Sequence, residues 1–174
     1  MKLSIPITIL LLLLPFYGFS QNTRIHFSYS IENYREERII ESLTDGHKAE
    51  VRYEIRVFRN VSGIRKLFGD TLIHQEQTVY VARWDALDEN YIIQIDSIDE
   101  IIFNEQTDFF KALFSLTEYQ LIIDYDLEDD DYVVCRSRIQ PIMLIPPLTL
   151  MTIFRSDLRE TSSWSQVQFR TASP

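Results

Sequence analysis

Six carboxylates, Asp124, Asp126, Glu128, Asp129, Asp130 and Asp131, stand within eight consecutive positions. Oxygen ligands at alternate positions suit a hard cation, so Asp124, Asp126, Glu128 and Asp130 are the candidate metal residues, with calcium as the ion. The spacing departs from the helix–loop–helix calcium site. Counted from Asp124, Asp129 stands where the loop glycine belongs and Cys135 where the bidentate glutamate belongs. The competing reading is a solvated turn, because Asp124 and Asp126 fall on the polar side of an alternating run.

Cys135 is the chain's single cysteine, which excludes an internal disulfide. Within the apolar run YVVC it reads as a small buried hydrophobe. A hydrolase built on it would need His26, His47 or His74 beside it in space. No two of these histidines have ligand spacing, and HExxH and CxxC are absent, so zinc has no support. GxSxG and phosphate-cradling glycine loops are also absent, and no spacing singles out a pair among the 26 acidic residues. The chain therefore carries no enzyme signature, and neither a catalytic residue nor a cofactor is assigned.

The longest organised stretch is Lys48 to Arg83, two strands joined by NVSGIRKLFGD. Ala49, Val51, Tyr53, Ile55 and Val57 alternate with Lys48, Glu50, Arg52, Glu54 and Arg56, so one face is apolar and the other carries mixed charge. Mixed charge suits a solvated face that resists edge-to-edge pairing, and a ligand surface is the alternative. Upstream, RIHFSYSI alternates as a first strand. Asn33 and Glu36 form a capping-box pattern before a short helix with Ile39, Ile40 and Leu43 on one side, and Gly46 ends it. Downstream, DALDEN is a turn and Tyr91, Ile93 and Ile95 mark a further strand, with Asp99 to Phe103 continuing it or lying beside it.

The period then changes. Phe109, Ala112, Leu113 and Leu116 fall at helical spacing, so EQTDFFKALFSL reads as an amphipathic helix with Asn104 as its cap. Leu121, Ile123, Tyr125 and Leu127 resume a period of two, and YVVCRSRI returns as the partner strand of a second hairpin. PIMLIPPLTLMTIF, interrupted by prolines, is an apolar crossover, and SWSQVQFR is the closing strand. Trp84 and Trp164 are candidate partner anchors, with core packing as their ordinary role. The expected fold is mostly β, an antiparallel β-sandwich of seven or eight strands with two short helices.

Residues 1–20 read as a signal peptide: Lys2, then an apolar stretch, then Gly18-Phe19-Ser20 before Gln21. The alternative is an uncleaved membrane anchor over residues 3–19, a stretch broken by Pro6, Pro15 and Gly18. Without a cysteine at the junction, a lipoprotein is disfavoured. Removing the leader takes one positive charge, so 16 basic residues remain against 26 acidic ones, a net charge of −10. That sign opposes nucleic acid and anionic lipid as partners at long range.

The order of elements also carries a family resemblance. RIIESLTDGHKAEVRYEIRVFR is followed by VYVARWDALDENYII, the helix DFFKALFSL, the strand YVVCRSR and the ending SSWSQVQFR. In this order the chain resembles the bacterial envelope family called domain of unknown function 4390, over residues 22–171. The resemblance implies an exported bacterial domain with no established activity, and no site residue follows from it. The expectation is a single domain over residues 22–171 that is a non-enzymatic, exported envelope protein binding another protein or envelope component. A calcium- or small-ligand-binding sandwich is the alternative, and a hydrolase a third.

Overall fold

The computed structural model describes residues 23–32, 34–61, 63, 69–142 and 160–172. The leader and nearly all of the proline-rich crossover lie outside the described residues. Among the described residues, ten strands and two helices follow in the order β1 (Thr23–Ser30), α1 (Glu36–Thr44), β2 (Lys48–Arg59), β3 (Thr71–Asp85), β4 (Asn90–Ile95), β5 (Asp99–Phe103), α2 (Gln106–Leu113), β6 (Ser115–Ile123), β7 (Tyr132–Ile142), β8 (Glu160–Thr161), β9 (Ser165–Val167) and β10 (Phe169–Ala172). They form a three-stranded sheet, β10-β1-β6, and a seven-stranded sheet, β5-β4-β3-β2-β7-β8, with β9 also on β7. All pairings are antiparallel, and the fold is β-sandwich-like, as the alternation implied. Among the described residues, no helix is long and apolar enough to cross a membrane.

The apolar side of β2 is the centre of the core. Ala49, Val51, Tyr53, Ile55 and Val57 are between 0 and 3 % exposed. They meet Ile25, Phe27 and Tyr29 of β1 and Leu121 and Ile123 of β6 in one cluster. The Tyr29 and Tyr53 rings meet edge to face across the sheets, with centroids 6.2 Å apart. The β2–β3 hairpin holds its register from Ala49↔Ala82 to Val57↔His74, then shifts by a bulge before Phe58.

The helices close the core. Ile39 and Leu43 of α1 are buried, and Gly46 ends that helix at φ +80°. His47 N–H donates to Ser42 O and Gly46 N–H to Leu43 O, both at 3.0 Å, the paired bonds of a left-handed helix stop. Phe109, Phe110 and Leu113 are the buried side of α2.

Several expectations need correction. The N-cap position of α1 is Arg35 and that of α2 is Glu105, each without a side-chain cap bond; Asn33 lies outside the described residues. The second helix stops at Leu113 rather than Leu116, because Ile31 N–H takes the Phe114 carbonyl and Ser115 pairs with Ser30. Leu116 is buried from strand β6 instead. The expected hairpin of Leu121–Leu127 with Tyr132–Ile139 does not form. β6 pairs with β1 and β7 with β2, so the acidic segment is a crossover between sheets. The closing strand divides at residue 168: β9 lies on the large sheet and β10 on the small one, which raises the strand count. Asp99–Phe103 lies beside β4 as a separate strand, β5.

Candidate interaction face

The outward side of β2 meets the outward side of β7. The register sets Glu50 opposite Gln140, Arg52 opposite Arg138, Glu54 opposite Arg136 and Arg56 opposite Val134. This patch holds four arginines and two carboxylates. Glu54, only 8 % exposed, accepts from Arg136 Nε and Nη2 at 3.0 and 2.6 Å. Arg138 Nη2 lies 3.7 Å from the other Glu54 oxygen. Glu50 Oε1 accepts from Arg52 Nη2 at 2.7 Å and from Gln140 Nε2 at 2.9 Å. Each carboxylate thus holds two donors on one of its oxygens, and the patch has four arginines against two carboxylates.

Arg56 has no carboxylate partner among the described residues. Its guanidinium carbon lies 4.5 Å from the centroid of the Trp164 ring, and that of Arg136 lies at the same distance. Such contacts draw on the negative face of the indole and are worth about 0.5–1 kcal/mol each at exposed sites. The Nε atoms of Arg52 and Arg56 are buried without a hydrogen-bond partner among the described residues. Trp164 reaches this face because Ser162 anchors the segment between β8 and β9. Ser137 N–H donates to Ser162 Oγ and Ser162 N–H to Ser137 O, both at 2.9 Å. The Tyr29 hydroxyl meets the same Oγ at 3.1 Å.

The other candidates fall elsewhere. Glu128 and Asp131 are held by Arg59: Nη1 lies 2.9 Å from Glu128 Oε1, and Nε and Nη2 donate to both oxygens of Asp131. Asp124, Asp126 and Asp130 are exposed. Among the described residues, no three His, Cys, Asp or Glu side chains gather to hold a metal ion. Cys135 is fully buried between Ile55 and Ser165 in the sheet register, and burial pushes its thiol up to about 12. A thiol in that state supplies almost no thiolate at neutral pH. His26 lies opposite Gln120 on β1, His47 precedes β2, and His74 Nε2 sits 3.6 Å from Glu76 Oε2. A cleft of about 430 Å³ lies between the end of β1 and α2, lined by Tyr34, Phe110 and Phe114 with Glu36 and Lys111 as its charged residues.

Alternation alone puts Arg136 and Arg138 on one side of their strand. Their place beside Glu54 and Arg52 depends on β7 choosing β2, a long-range pairing that no local pattern announces. Trp164 was visible as an aromatic anchor, but its arginine neighbours were not.

The fold and this face define an antiparallel β-sandwich-like domain with an arginine-rich outer patch. No family model matches the chain, and no curated protein or solved structure matches it.

Proposed function

We propose that the chain is an exported bacterial envelope domain, without enzymatic activity, that binds an acidic segment of another envelope protein on the β2–β7 face. Export rests on the leader-like residues 1–20. The binding role rests on one observation above all: Arg52 and Arg138 stand directly opposite each other on neighbouring strands. Like charges in that relation are unfavourable, and the glutamates offset them only in part: Arg52 holds Glu50 at 2.7 Å, while Arg138 stands 3.7 Å from a Glu54 whose nearer partner is Arg136. A carboxylate from a partner relieves the repulsion and gains charge-assisted, two-pronged hydrogen bonds. The chain's net charge of −9 opposes an acidic partner at long range. At physiological salt that repulsion is screened beyond about 8 Å, so the local face governs contact.

The test is capture of envelope proteins by the immobilised chain, compared with an Arg56→Gln, Arg138→Gln variant that keeps its melting temperature. The expected result is an acidic partner that the variant does not retain and that added salt releases from the native chain. Equal capture by both proteins sinks this reading. Cell fractionation with N-terminal sequencing tests export, with Gln21 as the expected first residue.

A further inference from the structure

The large sheet ends at β5, and that edge differs from the sheet's opposite side and from β6. The opposite side of the sheet is covered along β7 by β8 and β9. In the small sheet, β6 breaks its register against β1, and Glu118 takes a φ of +48° there, a kink that disfavours strand addition. The β4–β5 register, from Tyr91↔Phe103 to Ile95↔Asp99, runs without a shift. Among the described residues, β5 pairs with β4 alone.

The strand is also apolar where it meets water. Ile101 and Ile102 are 43 % and 61 % exposed, and Ile98 in the turn before the strand is 81 % exposed. Ile101 and Ile102 lie on opposite faces of the sheet, opposite the buried Ile93 and Ile92. Two isoleucine rows, one on each face, therefore run to the edge and stop. An apolar edge in unbroken register, with no proline or lysine, is a template for another strand.

We infer that β5 is a docking edge for an extended, apolar and basic peptide segment of a partner protein, added as a further antiparallel strand. The mode is main-chain pairing with side-chain contacts on both faces. It is separate from the arginine face, since β5 lies three strand positions from β2 and four from β7, about 14 and 19 Å at ordinary strand spacing.

Charge selects the occupant. Asp99 and Glu100 open the strand, and only Glu100 has a cation nearby among the described residues, Arg83 Nη2 at 3.6 Å. An antiparallel partner that reads apolar residues first and basic residues last sets the former against Phe103, Ile102 and Ile101, and the latter against Glu100 and Asp99. A second copy of this chain fits less well. Paired about Ile101, it sets Asp99 against Phe103 and Glu100 against Ile102, and both copies carry a net charge of −9.

The experiment titrates the protein with the peptide Val-Ile-Val-Arg-Lys and reads amide hydrogen exchange along β5, with Val-Ile-Val-Glu-Asp as the control. Expected are protection of β5 by the basic peptide alone, about tenfold weaker binding by Ile102→Ser, and a reversed peptide preference in Asp99→Lys. Ile102 and Asp99 are exposed, so both variants should keep the native melting temperature. Unchanged exchange on β5, equal effects of the two peptides, or self-association that Ile102→Ser abolishes would each overturn the proposal, the last in favour of a second copy.

Discussion

Arg59 donates from Nε and Nη2 to the two oxygens of Asp131, at 3.2 and 3.1 Å. The same Nη2 donates to the Asp126 carbonyl at 2.8 Å, and Glu128 N–H donates to Asp131 Oδ2 at 2.9 Å. The crossover from β6 to β7 is thus folded around a cation the protein supplies itself. A calcium ion on the candidate carboxylates would have to displace Arg59 from Glu128. Calcium at millimolar concentration is expected to leave the melting temperature unchanged, whereas an ion that binds only the folded chain raises it. Asp131→Ala should lower it, since three donors lose their acceptor at once.

The Tyr53 hydroxyl, in the middle of the apolar side of β2, donates to the Leu113 carbonyl at the end of α2, at 2.7 Å. Its ring is fully buried and meets Tyr29 and Tyr80 edge to face. Tyr53→Phe keeps the ring and removes only the donor, at an expected cost of about 1–3 kcal/mol in urea denaturation. Tyr53→Ala also opens a cavity and should cost about 3–5 kcal/mol, enough to threaten folding. A negligible cost for Tyr53→Phe beside a large one for Tyr53→Ala would show that the ring, not the bond, ties α2 to the sheet.

Ile55 lies opposite both Cys135 and Glu76 in the register and is fully buried. Ile55→Asp puts an unpaired carboxylate among apolar neighbours, and the chain should not fold. Arg56→Asp, one residue on and facing outward, should leave a folded protein with a native circular dichroism spectrum. A folded Ile55→Asp would contradict the core placement.

The β2 stretch was legible because both of its faces are informative: every second residue is apolar, and those between are charged. The second hairpin misled because alternation marks a strand without naming its partner. β6 carries Leu121 against Ile25, and β7 carries Arg136 against Glu54, contacts about 80 to 100 positions away in the chain. The end of α2 misled for a similar reason. Leu116 keeps helical spacing, but strand pairing at Ser115 outweighs it. Polar residues on the core side of β3 break the pattern and still fit: Thr78 donates to Asp96 Oδ2 at 2.8 Å, and Glu76 accepts from the Tyr119 hydroxyl. The arginine face joins residues of β2, β7 and the segment before β9, so it exists only once the sheet is assembled.

Alkaline pH should unfold the protein. Burial raises the Cys135 thiol from 9.0 to about 12. The hydrogen bond to Asp70, with burial adding to it, raises Tyr132 from 10.0 to about 12. Tyr53, through burial, and Tyr119, through burial and then the Glu76 hydrogen bond, move the same way. In each case the folded chain keeps a proton that the unfolded chain releases. The stability that depends on these groups is therefore complete below about pH 9 and is lost as pH rises toward about 12. Melting temperatures measured across that range should fall steadily, and Cys135→Ala should flatten the first part of the fall. A thiol reagent at neutral pH should leave the native chain unmodified and label Cys135 once urea unfolds it. Labelling of the native chain would show that the thiol is open to solvent.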